Sequence, residues 1–258
     1  MEHGLFVINK VFEMLRKTLL KLAEYIPNMV LPYLVSVYYF FNRKKKYIGK
    51  GTFIDSTVQL IRYSNISIGN NSAICEGSSI NVQQIKNNDF AIKIGNNCYL
   101  GHRCFISSGN SIILKDFVTI ARDCKILGSS HVVTDPFSPY IMTGTTHNCS
   151  IQIGVNCFLG TNVMINGNVN IGHGSVIGAN CFINNENIPP FSMVVGNPSR
   201  IIKRYSVKLK IWVDANLFSE DDERRIPKED DYLFNLTKKY QKIPPFFHAT
   251  GSKFGNLP

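Results

Sequence analysis

Histidine is the side chain in this sequence best suited to moving a proton near neutral pH, because imidazole titrates close to pH 6.5. Six histidines are present. His131 stands out by position, since it closes a run of regular spacing and is followed at once by the longest irregular stretch, residues 132–152. His102 falls eight residues into a periodic unit, a place it shares with Arg122, Thr161 and Ala179 in other units. His147 lies inside the irregular stretch, and His173 sits at a turn position read as outward-facing, where polar residues are ordinary. Imidazoles so placed could act as a general base toward a weak nucleophile or hold an acceptor. The seven cysteines never occur as C-x-x-C, so a zinc site or a paired-thiol reaction is not indicated and no metal is expected.

What positions these residues is a repeat of six. Its first positions are Ile48, Ile54, Leu60; Ile68, Ile74, Ile80; Ile94, Leu100, Ile106; Leu114, Ile120, Ile126; Ile153, Leu159, Ile165; and Ile171, Ile177, Ile183. Insertions fall at 66–67, 86–93, 112–113 and 132–152. The fifth position of each hexad is small, except for Gln84, Asn110 and Asn187. A large aliphatic residue followed four places later by a small one suits a narrow three-sided coil, which has room for one bulky inward side chain per face. Hexapeptide periodicity therefore predicts a parallel β-helix of about six turns. Gly repeatedly follows the first position and Asn recurs at turns, which we read as backbone with positive φ. Cys98, Cys104, Cys124, Cys157 and Cys181 take the small inward position, where a thiol acts as a compact hydrophobe. In this register His131 ends the fourth turn and stacks between Ser111 and Asn170.

The pattern is read as stopping after Ile183, where Pro189 and Pro190 break the coil. Gly196-Asn197-Pro198 then turns Arg200, Lys203 and Arg204 back along the prism. This divides the chain into 1–47, an amphipathic helical segment; 48–188, the β-helix with its loop 132–152; and 189–258, an extension with a helix around Tyr232–Tyr240. The net charge of +10 favours an anionic partner, and nine Lys or Arg against three Glu lie in the first fifty residues. The basic cluster Arg43–Lys46 beside an aromatic stretch suits either a cap on the coil or peripheral contact with a membrane. Without a secretory signal or an apolar run of spanning length, the expectation is a cytoplasmic protein, peripheral at the inner face of the plasma membrane if residues 1–47 bind lipid. No basic stripe interleaved with aromatics crosses the repeat, so nucleic acid is not an expected partner.

The stretches GSSHVVTDPFSP, IQIGVNCFLGTNVMINGNVNIGHGSVIGAN and IPPFSMVVGNPSRIIKR resemble the hexapeptide-repeat acyltransferases, in particular the bacterial sugar and polysaccharide O-acetyltransferases. The resemblance covers a little under half of the chain. It implies a left-handed coil, a homotrimer with sites between subunits, acetyl-CoA as donor, a carbohydrate acceptor and His131 as general base. It further implies that Thr161, beside Gly160, offers a backbone N–H to the oxyanion. Gly178 and Ala179 would line the pantetheine channel, and Arg200 and Lys203 would meet phosphates. Phe158 stands where many members carry Trp, and His102 and His147 are candidates for acceptor binding. Two other readings compete: N-acetylation of a nucleotide-linked amino sugar, which also needs a base, and a non-catalytic scaffold, which needs neither His131 nor the GNPSR segment.

Overall fold

The structure, a computed structural model, describes residues 47–84 and 90–240. The amphipathic N-terminal segment and the tail after Tyr240 lie outside the described residues. The chain coils around three parallel sheets, visited in rotation. The first face stacks Ile66–Ile68, Ile92–Ile94, Ser111–Leu114, Ser150–Ile153, Val169–Ile171 and Asn187–Ile188. The second stacks Phe53–Ile54, Ala73–Ile74, Tyr99–Leu100, Thr119–Ile120, Phe158–Leu159, Val176–Ile177 and Ser192–Val195. The third runs from Gln59–Ile61 to Phe182–Asn184 through Ser79–Val82, Phe105–Ser108, Lys125–Leu127 and Met164–Asn166.

Every aliphatic residue of the hexad register pairs with its counterpart one turn away. Ile68 opposes Ile94, Leu100 opposes Ile120, and Ile126 opposes Ile165. The coil also runs further than the hexads suggested. Ile188 stacks on Ile171 and Val194 on Ile177, adding two faces of a seventh turn with the two prolines at the corner between them. There the direction reverses: Arg200–Ser206 runs antiparallel to Ser192–Val195, and Ile211–Asp214 pairs antiparallel outside it. Glu220–Arg224 (α1) follows, closed by a capping box in which Ser219 and Asp222 satisfy each other. Glu229–Lys239 (α2) has its acidic residues in the first turn and Lys238 and Lys239 in the last, in the sense the helix dipole favours.

The five inward cysteines are buried, and their environment explains the residue type. The thiols of Cys98, Cys104, Cys124 and Cys157 donate to the carbonyls of Lys115, Ala121, Gly160 and Gly172 on the next turn, at 3.1 to 3.2 Å. Ser72 and Ser78 do the same with hydroxyls, to Gly95 and Gly101. The position calls for a small side chain, met by Val58, Val118, Val163 and Val169 as well, and where it is Ser or Cys the side chain also donates to a carbonyl on the next turn. Burial pushes the Cys98 and Cys157 thiols up to about 12, so neither is a nucleophile.

The glycine after the aliphatic residue has a different cause from the one expected. A Cβ at Gly69 would lie 2.6 Å from the backbone of Gly95, so close stacking excludes a side chain there. Positive φ instead falls at the corners, on Asn71, Asn97, Asn156, Asn162 and Asn180 among others. Because Ile165 has no exposed surface and fills the narrow prism, Ile165→Ala should lower the free energy of unfolding by about 2–5 kcal/mol. Chemical denaturation monitored by circular dichroism checks this.

Candidate active site

After Lys125–Leu127 the chain leaves the coil at Ser129 and rejoins it at Ser150. The excursion is therefore 129–149 rather than 132–152, because Ser150–Ile153 is already a strand between Ser111–Leu114 and Val169–Ile171. The expected stack of His131 between Ser111 and Asn170 is not formed. Ser111 opposes Ser150, and Asn170 opposes Gln152. His131 instead sits on the neck of the excursion, where Ser130–His131 pairs antiparallel with Thr145–Thr146. Val132 N–H donates to the Gly144 carbonyl at 3.2 Å, and the Thr146 hydroxyl to the Ser130 carbonyl at 3.3 Å. His131 is exposed on this pinned neck. Beyond it, Asp135 accepts from Phe137 N–H and the Ser138 hydroxyl, which hold its carboxyl below the usual carboxylate range. The tip displays Phe137, Ile141 and Met142 to solvent.

His147 is half-buried and follows directly on the returning strand Thr145–Thr146. Its Nε2 lies 3.0 Å from Thr145 Oγ1, while Nδ1 is enclosed and has no hydrogen-bond partner among the described residues. Nothing in the residue spacing signalled this contact.

The second group of residues lies at the corner after the second face. The column His102, Arg122, Thr161, Ala179 is formed: the carbonyls of His102, Arg122 and Thr161 accept from Asp123, Asn162 and Asn180 on the next turn. His102 is exposed, two turns from Thr161. Gly160 N–H donates to Ile177 and Gly178 N–H to Val194, so both are committed to the coil. Among the described residues, the N–H groups of Thr161 and Ala179 have no acceptor, and both residues are exposed. A Cβ at Gly160 would meet Ala179 N at 2.7 Å, so stacking alone demands glycine there. Phe158 points outward, 45% exposed, between Thr119 and Val176. A Cβ at Gly178 would touch the Val195 side chain, and Val195 opposes Arg200 across the antiparallel pair. The exposed Arg200 and Lys203 are thereby set beside the upper end of this wall. On a single chain His131 and Thr161 occupy different corners, with the third face between them.

His173 differs from its expected place. It is buried under the C-terminal extension, with Nε2–H donating to the Pro227 carbonyl at 3.1 Å and its ring packed on Phe191 and Tyr232. Glu229, at the start of α2, accepts from Val155 N–H at 2.9 Å and from the Lys115 ammonium. A cleft of about 350 Å³ lined by Asn170, His173, Asn187 and Glu229 follows from this docking and is separate from the Thr161 corner. Burial holds the His173 pKa below its ordinary 6.5, against the opposing charge of Glu229. For Glu229 burial acts upward, but Lys115, Val155 N–H and His173 outweigh it and the carboxyl stays below its ordinary 4.5.

The family model described as the hexapeptide repeat of succinyl-transferase matches residues 91–121 and 150–185. These segments are hexapeptide repeats. The chain is 32% identical to galactoside O-acetyltransferase of Escherichia coli K12 over 112 residues, 43% of this chain and 53% of that protein. WbbJ of the same strain, named for O-acetyl transfer in lipopolysaccharide biosynthesis, is 33% identical over 38% of this chain and 56% of its own. The chain thus spans about half the length of the curated relatives it matches. Among solved structures, the N-acyltransferase AntD of Bacillus cereus, crystallised with dTDP and coenzyme A, superposes with a TM-score of 0.52. It is 21% identical, with 63% of this chain and 85% of AntD covered. The chain is accordingly a left-handed parallel β-helix, the exception to the right-handed crossover rule.

A titration of stability tests the docked extension. Both shifted groups bind protons less readily folded than unfolded, so their stabilisation is complete above pH 6.5. It declines as pH falls, first through His173 and then, below 4.5, through Glu229. The melting temperature should therefore drop between pH 7.5 and 5, and His173→Phe, which keeps the ring packing without the titration, should shrink that drop.

Proposed function

We propose that this protein transfers the acetyl group of acetyl-CoA to a sugar hydroxyl of a bacterial surface polysaccharide or its precursor, with His131 as general base. The observation that carries the reading is the combination of two exposed groups. One is the imidazole of His131 on a hydrogen-bonded hairpin neck; the other is the uncommitted N–H of Thr161 on the corner wall. They stand on a fold whose named relatives include O-acetyltransferases.

A sugar hydroxyl is a weak nucleophile while it keeps its proton. The neutral imidazole of His131 takes that proton as the oxygen attacks the thioester carbonyl, and the Thr161 N–H donates to the oxyanion that develops. The imidazolium then returns its proton to the departing CoA sulfur. Gly160 and Gly178 keep the wall low enough for an extended pantetheine arm, and Arg200 and Lys203 meet CoA phosphates. Phe158 offers an apolar surface to the acceptor, His102 a polar one. Since one chain holds His131 and Thr161 apart, a neighbouring copy in a trimer would complete each site.

Thiol release from acetyl-CoA, followed with a panel of sugars and amino sugars, tests this. His131→Ala should lower turnover by about 10²–10⁴-fold, and Arg200→Ala should raise the KM for acetyl-CoA with little effect on kcat. Full turnover by the His131 variant refutes the base. An acetylated amine as the product moves the assignment to N-transfer, and the absence of both turnover and CoA binding leaves a scaffold.

A further inference from the structure

The hairpin neck brings one more side chain to His131, and this inference rests on the role proposed for His131 above. His131 and Thr145 are directly opposite in the antiparallel pair. Val132 N–H donates to the Gly144 carbonyl, which makes 131/145 a non-hydrogen-bonded pair. In such pairs the Cα atoms approach to about 4.5 Å and the side chains stand together on one face. Thr145 therefore stands beside His131 on that face, within reach of its ring when the imidazole turns toward it. His147 completes the row, with its Nε2 3.0 Å from Thr145 Oγ1.

The enclosed Nδ1 of His147 decides the direction of that bond. A proton on Nδ1 would leave a buried N–H without an acceptor among the described residues, whereas a bare ring nitrogen loses less. The proton belongs on Nε2, so His147 donates and Thr145 Oγ1 accepts. A threonine hydroxyl has two acceptor lone pairs and one proton. With one lone pair taken by His147, the other remains for a second donor.

We propose that Thr145, oriented by His147, is the positioning residue that accepts a ring N–H of His131, leaving the other ring nitrogen bare toward the acceptor hydroxyl. A general base needs this tautomer held, because a ring turned by half a rotation presents an N–H to the substrate instead of a lone pair. His147 thereby acts through Thr145 on the base rather than on the acceptor. The arrangement also gives the neck a task beyond closing the loop, since the register of two short strands sets the ring of the base.

Full-length protein with ¹⁵N-labelled histidine reports tautomers directly through long-range ¹H–¹⁵N correlations, with His131 assigned by its loss in His131→Ala. Native protein should show one protonated and one bare nitrogen at His131. In Thr145→Val the two signals should move toward each other as tautomers mix, and Thr145→Ser should restore the native pattern. In the thiol-release assay the Val variant should lose about tenfold in kcat with an unchanged KM for acetyl-CoA, and Ser should recover most of that loss. A native His131 pattern in Thr145→Val overturns the proposal. So does a Ser variant as impaired as Val, which would make the role one of packing. The two readings separate cleanly: an inert His131→Ala with a fully active Thr145→Val removes the positioning role alone, and a fully active His131→Ala removes both.

Discussion

Turns stacked at the spacing of neighbouring strands, about 4.8 Å, around a prism that admits one bulky side chain per face: this constraint decides the rest of the molecule. It selects Ile and Leu at one position of each hexad, all paired turn on turn. It selects a small residue four places later, Val, Ser or Cys, and where that residue is Ser or Cys it donates to a carbonyl of the next turn. It excludes any side chain at the intervening glycines, whose neighbours one turn away are already in contact. Residues that suggest chemistry elsewhere, such as the row of thiols, are here part of the wall.

The same constraint limits where reactivity can reside. A coil that buries its inward side chains and commits its strand amides to stacking leaves chemistry only at corners and in excursions. Thr161 and Ala179 hold free N–H groups because a corner residue lies between two committed neighbours. His131 is available because it stands outside the coil altogether.

The frame was legible in the sequence because steric demand repeats, and a repeat is easy to read. The seventh turn was not, since Ile188 follows Ile183 by only five residues and two prolines stand between Ile188 and Val194. The edges of the excursion were misplaced for a related reason. Hairpin hydrogen bonds fix them, and such bonds leave no periodic trace, so Ser150, Ile151 and Gln152 passed for loop. His173 passed for an outward residue because its cover, Pro227 and Tyr232, comes from a distant part of the chain. Of the candidate site, the corner column followed from the count of six, while the contact between Thr145 and His147 depends on a pairing that only the folded chain displays.

The excursion leaves and rejoins without disturbing the turns on either side. Lys125–Leu127 is stacked on Met164–Asn166 and Ser111–Leu114 on Ser150–Ile153, as they would be with a shorter connection. Closing a longer loop costs little, roughly 0.6 kcal/mol for each doubling of its length. The body of the molecule is thus indifferent to what hangs from this edge. Variation can lengthen, trim or rewrite the segment bearing Phe137, Ile141 and Met142 with little change in stability, so new recognition can evolve on an old scaffold by exchanging one arm.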